Sequence, residues 1–330
     1  MRKTLALAMI VWVAAMPAAY AADAPKADLV NRKQLRVCAD PADLPFSNDK
    51  REGFENKIAD IIADELKLPV AYTWFPKATG FIRMTLFAKK CDLVIGWGQG
   101  DDMVLNTNAF YRSVSALIYK PGTGLDGVET LADPKLQGKK IGIVQNDPGG
   151  TLAAKYGLLQ NMKGYRQMVD RRFDNPAQDM MKDIRSGEID AGIHWGPIAA
   201  YWATRDGDKL TVVPLRKETG SYKIAYRITM GVRNGDDAWK RQLNEIIAKR
   251  RTDIDKVLLD YGIPLLVDDD TSMDLVTEPR PNETIKASSG NAAPGTGVAP
   301  APATPAPAAP APQAPAAQAP AAAAPAPATP

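Results

Sequence analysis

The sequence predicts an α/β protein of two lobes, each a doubly wound sheet flanked by helices. Short apolar runs alternate with helical patterns, which implies parallel strands connected through helices. The alternation restarts after Tyr119-Lys-Pro-Gly122, where a second unit of the same kind begins.

In the first unit, Leu35-Arg-Val-Cys-Ala39 reads as a strand and runs into Asp40-Pro-Ala-Asp-Leu-Pro-Phe46-Ser-Asn48. Gly53-Phe-Glu55 opens an amphipathic helix, Asn56–Leu66, with Ile58, Ile61, Ile62 and Leu66 on one face. Pro69–Phe75 is a second strand, Phe81–Lys90 a second helical pattern, and Asp92-Leu-Val-Ile-Gly96 a third strand. In the second unit, Gly138–Val144 is a strand and Asn146-Asp-Pro-Gly-Gly-Thr151 a turn feeding a helix over Thr151–Tyr156. Asn175–Ser186 is a clear helix, with Met180, Met181 and Ile184 inward and Gly187 at its end. A strand at Ile189–Ile193, a helix at Pro197–Thr204, and strands at Leu210–Leu215 and Tyr222–Val232 follow. Ala238–Leu259 is helical with a break near Thr252, and Tyr261-Gly-Ile-Pro264 stops it. The core amounts to about 250 residues in two units.

The N-terminus has the form of an export signal, residues 1–21. Arg2 and Lys3 precede the apolar run Leu5–Met16, and Ala19-Tyr-Ala21 offers small residues for cleavage. No other stretch approaches the ~18 apolar residues of a membrane span, so a periplasmic protein without stable membrane insertion is expected. The formal charge of +3 falls to +1 once Arg2 and Lys3 are removed, and no basic stripe with interleaved aromatics is present. Nucleic acid is therefore not an expected partner. From Ala299 to Pro330 only Thr304, Gln313, Gln318 and Thr329 are neither Ala nor Pro, which predicts a disordered, polyproline-like tail.

Cys38 and Cys91 are the only cysteines. One lies in the first strand and the other just before the third, and these strands are neighbours in a 2-1-3 order. An oxidising compartment favours a disulfide over two buried thiols. No close-spaced ligand pair suggests a metal. No Gly-x-Ser-x-Gly elbow is present, and no histidine lies near a nucleophile, so neither an enzyme nor a cofactor is predicted.

The order of Leu35–Phe46, Gly53-Phe-Glu55, Asp92–Gly96, Phe110-Tyr-Arg-Ser113, Gly138–Val144, Ser186-Gly-Glu-Ile-Asp-Ala191 and Ile228–Arg233 resembles the type II periplasmic substrate-binding fold. That resemblance implies two crossings between lobes, near Lys120-Pro-Gly122 and Tyr222–Tyr226. Lobe 1 would then comprise residues 30–120 with 225–266, lobe 2 residues 121–224, and residues 267–330 an extension ending in the tail. Arg36-Val-Cys-Ala-Asp-Pro41, Leu44–Asn48, Gly53–Ile58, Tyr72-Thr-Trp-Phe-Pro76, Cys91–Gly96 and Asp102-Met-Val-Leu105 are similar to a narrower branch, the MxaJ/XoxJ methanol-oxidation J proteins. This similarity implies a role beside a pyrroloquinoline-quinone (PQQ)-dependent methanol or alcohol dehydrogenase, with its cytochrome c as a further partner.

Amino-acid-binding members of the fold place an arginine just after the third strand, to fork a ligand carboxylate. Here Gly96-Trp-Gly-Gln-Gly-Asp-Asp-Met-Val104 has two acids instead, and His194-Trp195 stands where those members carry an ammonium-binding aspartate. Asp40, Phe46, Trp97, Gly98, Asp101, Asp102, Asn146, Asp147, Thr151, His194 and Trp195 are all expected on loops facing the interlobe cleft. The aromatic members suit a flat ligand or a protein anchor. Three readings stay open: a dehydrogenase accessory, a transport receptor for a small non-amino-acid solute, and a chaperone for the quinone cofactor or its metal.

Overall fold

The computed structural model describes residues 30–283, apart from 79 and 219–222. The export signal and the Ala/Pro tail inferred from the sequence lie outside these residues. Lobe 1 begins with β1 (Leu35–Ala39), a small hairpin of β2 (Ala42–Asp43) and β3 (Ser47–Asn48), α1 (Phe54–Leu66), β4 (Val70–Trp74), α2 (Phe81–Met84), β5 (Leu93–Gly98) and β6 (Leu105–Asn106). β7 (Tyr111–Tyr119) leads to β8 (Ile141–Val144), α3 (Pro148–Lys155), β9 (Met162–Tyr165), α4 (Pro176–Ser186), β10 (Ala191–Trp195), α5 (Gly196–Ala203) and β11 (Thr211–Pro214). β12 (Ala225–Val232), α6 (Asp237–Lys249) and α7 (Arg251–Asp260) complete the fold.

The sheet runs β4-β1-β5-β12-β7-β10-β8-β9, with β6 beside β12 and β11 beside β7. β1 is parallel to both β4 and β5, giving the 2-1-3 order expected of the first three long strands. Every residue of β7 is buried, and the strand changes partners along its length. Tyr111–Val114 pair with β12, whereas Ser115–Tyr119 pair with β10. β7 thus changes partners between Val114 and Ser115, ahead of the Lys120–Gly122 turn.

Several predicted elements shift for identifiable reasons. The helical pattern at Phe81–Lys90 is a helix only to Met84; the chain then turns back, with Lys89 at φ 58°, to enter β5. α3 starts at Pro148 instead of Thr151, because Asp147 caps it by accepting the Gly149 N–H at 2.8 Å and proline suits the first helical position. The break between α6 and α7 falls at Arg250, and β9 is a strand without an apolar run to reveal it. The described residues after Leu266, in the stretch expected to be an extension, are tied to the body. Leu266 bridges Leu275, Arg112 donates to the carbonyls of Val267, Asp269 and Ser272, and Arg280 pairs with buried Asp255 at 2.7 Å.

Lobe 1 packs α1, α6 and α7 on one sheet face around Phe54, Ile58, Ile62, Trp239 and Leu243. Each such side chain contributes about 1.5–3 kcal/mol by leaving water. Asp92 organises the lobe's polar interior. It accepts from Arg36 at 2.6 and 2.7 Å and from Arg233 at 2.7 Å, and its backbone carbonyl accepts from Trp239. Burial opposes the charge, but the two guanidinium bonds prevail and hold the acid below the usual carboxylate range.

On the opposite face, Cys38 and Cys91 form a disulfide among Phe81, Ile82, Leu86, Val94 and Val104. It closes a loop of 53 residues, for which chain-entropy reasoning gives about 4 kcal/mol. Cys38→Ala with Cys91→Ala is predicted to lower unfolding stability by that order in urea denaturation. An unchanged midpoint would show that the bond constrains little.

Candidate functional site

A cleft of about 400 Å³ lies where the carboxyl ends of β1 and β5 meet those of β8 and β10, its walls supplied by both lobes. Such volumes lie within the usual range of ligand sites. Of the residues singled out from the sequence, Phe46, Trp97, Gly98, Asp147, His194 and Trp195 line it.

The other five predicted residues do not line it. Asp40 is buried beneath the wall, where it accepts the backbone N–H groups of Ala42 and Lys77 and so shapes the loops. Asp101 and Asp102 are exposed on the turn after β5, and Asp101 accepts the Met103 N–H at 2.9 Å. Asn146 occupies an exposed left-handed turn position at φ 61°, and Thr151 falls on the outer face of α3.

A bulge aims Trp97 at the cleft. Thr229 pairs with Trp97 and Met230 with Ile95, so Gly96 is the extra residue of β5. Gly96 has φ +77°, and a Cβ there would lie 1.9 Å from Glu55 Oε1. Glycine is thus required twice over. Trp97 joins the cleft to the cluster around the disulfide, while its buried indole N–H has no partner among the described residues.

The crossing strands form the floor through Tyr111, Tyr226 and Ile228. Trp195 meets Tyr226 edge-on at 5.9 Å, and burial suppresses the acidity of the Tyr111 hydroxyl far below normal. His194 Nδ1 accepts the Trp195 backbone N–H at 2.9 Å, and Asp147 Oδ2 lies 3.4 Å from the same nitrogen.

Charged groups around the cleft find partners within the protein. Asp43 on the β2–β3 hairpin pairs at 3.0 Å with Arg171 from the loop before α4. Leu44, next to Asp43, packs against the lobe-2 cluster containing Tyr165 and Trp202, and its carbonyl accepts the Trp202 indole N–H at 3.3 Å. The hairpin therefore straps one lobe to the other. Arg166 pairs with Asp174, and Lys77 stands 3.5 Å from Glu55 and 5.5 Å from the Phe46 ring centre. Burial raises Asp43 to about 6 and Glu55 to about 8, against the attraction of Arg171 and Lys77 for the first and Lys77 for the second. Among the described residues, no group of three or more His, Cys, Asp or Glu side chains gathers in a way that could hold a metal ion.

Sequence reasoning missed Tyr111, Tyr226, Lys77, the Asp43–Arg171 pair and Glu55. A signal for Glu55 existed, because it shares the buried face of α1 with Ile58 and Ile62 at helical spacing. The Asp43–Arg171 pair, which spans the two lobes, left no local trace.

A two-lobed α/β body with a cleft at the strand ends and two strands passing between the lobes defines a type II solute-binding protein. Residues 98–252 match the family model of bacterial extracellular solute-binding proteins. The periplasmic binding protein XoxJ of Methylobacterium extorquens is 37% identical in structural alignment, covering 71% of this chain and 100% of that one, with a TM-score of 0.61. MxaJ from Methlophaga aminisulfidivorans is 28% identical over the same shares, also at a TM-score of 0.61. Protein MoxJ of Methylorubrum extorquens is 28% identical over 247 residues, which are 70% of this chain and 81% of MoxJ. The chain belongs to the periplasmic solute-binding proteins, in the XoxJ and MxaJ branch.

Glu55 ties stability to pH. Its folded pKa of about 8 exceeds the usual 4.5, so the folded state binds the extra proton between these values. Its contribution is therefore full below about pH 5 and is lost as pH rises through about 8. Glu55→Gln keeps the neutral form at every pH, and it is predicted to flatten this part of the Tm profile and raise Tm at pH 8. An equally steep decline in the variant would assign the linkage elsewhere.

Proposed function

We propose that the protein is a periplasmic, non-catalytic accessory of a PQQ-dependent methanol or alcohol dehydrogenase. It engages the enzyme through the cleft and assists its maturation or activation, and the enzyme's cytochrome c is a further candidate partner. Lobe 1 comprises the residues before the partner change in β7 together with β12, α6 and α7; lobe 2 comprises the stretch between. Similarity to XoxJ and MxaJ supports this family of roles.

The observation that carries the cleft assignment is its chemistry. The cleft is walled by Phe46, Trp97, Tyr111, Trp195 and Tyr226, while Asp43 and Arg171 pair with each other, Arg166 pairs with Asp174, and Lys77 lies against Glu55. An ionic solute would have to displace those partners at a desolvation cost of several kcal/mol per ion. An apolar protein segment faces no such barrier. In the loop that supplies Arg166 and Arg171 to the lining, Met168 is 58% exposed and Phe173 85% exposed. Large apolar side chains of this exposure at a concave site suit a protein interface.

Reception of a small, uncharged solute for an inner-membrane permease is the alternative, favoured by the cleft's volume and the His194 ring in its wall. The two readings separate in a pull-down of the tagged mature protein from periplasmic extract. The accessory role predicts co-purification of a quinoprotein dehydrogenase, weakened about 30-fold or more by Trp97→Ala with Trp195→Ala. A co-purifying small molecule without any dehydrogenase would favour transport.

A further inference from the structure

From Lys67 to Lys90 the chain carries five basic residues, Lys67, Lys77, Arg83, Lys89 and Lys90, and no acid. The last part of this stretch is a compact turn of two faces. Phe81, Ile82, Thr85 and Leu86 point inward onto the cluster around the Cys38–Cys91 disulfide. Arg83, Met84, Phe87, Ala88, Lys89 and Lys90 point outward. Met84 and Phe87 are each 44% exposed.

The turn is held firmly. Phe87 N–H donates to Ile82 O at 3.0 Å, Lys90 N–H to Thr85 O at 3.1 Å, and Thr85 Oγ1 to Phe81 O at 2.7 Å. Arg36 Nη1 donates to Lys89 O at 3.0 Å, and the disulfide anchors the next residue but one. Two large apolar side chains are thus presented to water by a rigid segment. Around them, Arg83, Lys89 and Lys90 form no ion pair among the described residues, in contrast to the nearby Lys67 with Asp64 and Lys249 with Glu65.

We infer that the Arg83–Lys90 turn is a second docking surface, fitted to an acidic protein face with an apolar recess for Met84 and Phe87. The cations provide the argument for this occupant. Three unmatched positive charges disfavour a second copy of the same patch and favour a negative surface. Two half-exposed side chains are too small an apolar area to hold the protein on a bilayer, where buried area sets affinity. Trp97 packs on the inner side of the same cluster, so the patch and the cleft wall share one core. The inference rests on the accessory reading for the partner's identity.

The experiment measures binding of the full mature protein to purified PQQ-dependent dehydrogenase at low and high salt, about 50 and 300 mM NaCl. Wild-type affinity should fall about tenfold across this range. Lys89→Glu with Lys90→Glu should bind about tenfold more weakly at low salt and lose most of the salt dependence. Met84→Ser with Phe87→Ser should weaken binding about tenfold at both salts. All four positions are exposed, so an unchanged Tm verifies that each variant is folded. Wild-type affinity in both variants, alongside loss of binding in Trp97→Ala with Trp195→Ala, would overturn the second surface and leave the accessory role standing. Failure of the wild type to bind dehydrogenase would overturn both. Binding to phosphatidylglycerol vesicles lost in the lysine variant, with dehydrogenase affinity unchanged, would overturn it in favour of a lipid surface. A concentration-dependent dimer abolished by the Met84/Phe87 variant would overturn it in favour of self-association.

Discussion

The pairing of β7 with β12 is the constraint on which the site depends. These antiparallel strands join over Ala225–Ile228 and Tyr111–Val114, and β7 then passes on to pair with β10. The lobes are therefore one hydrogen-bonded sheet and not two bodies on a loose tether. Tyr111, Tyr226 and Ile228 reach the cleft from this junction, and Trp195 packs edge-on against the Tyr226 ring. A cleft floor on two paired strands keeps its aromatic groups in register, whereas loops alone would let them drift.

Around that floor the polar chemistry is directed inward. Glu55, Lys77, Asp43 and Arg171 answer one another, and the β2–β3 hairpin carries Asp43 and Leu44 across to lobe 2. Buried pairs of this kind add little net stability but discourage alternative arrangements, because breaking one leaves an uncompensated charge. They also leave the cleft surface aromatic in character. The chain retains the architecture of a solute receptor while its ionic handles serve the protein itself.

Legibility in the sequence followed burial. β1, β4 and β5 appeared as apolar runs, α4 showed its cap, inward methionines and terminal glycine, and the disulfide followed from strand order. β9, with the exposed-to-buried run Met162-Lys-Gly-Tyr165, had no apolar run to reveal it. β7 contains Arg112, Ser113 and Ser115, all buried, and Arg112 is tolerated there because carbonyls from residues 267–272 surround it. That compensation arrives from more than 150 residues away and leaves no local pattern. The site divided in the same way. Aromatics next to strand ends were readable, but Asp101, Asp102, Asn146 and Thr151 lay near the same ends and faced outward, since strand position does not set the direction of a turn.

Hydrogen exchange of the mature protein with and without purified PQQ-dependent dehydrogenase tests the central claim most directly. The account predicts slowed exchange at residues 96–98, around Asp147, over 166–177 and at His194–Trp195 when the enzyme is present. Dehydrogenase binding with no protection in any of these segments would contradict the cleft as the interface.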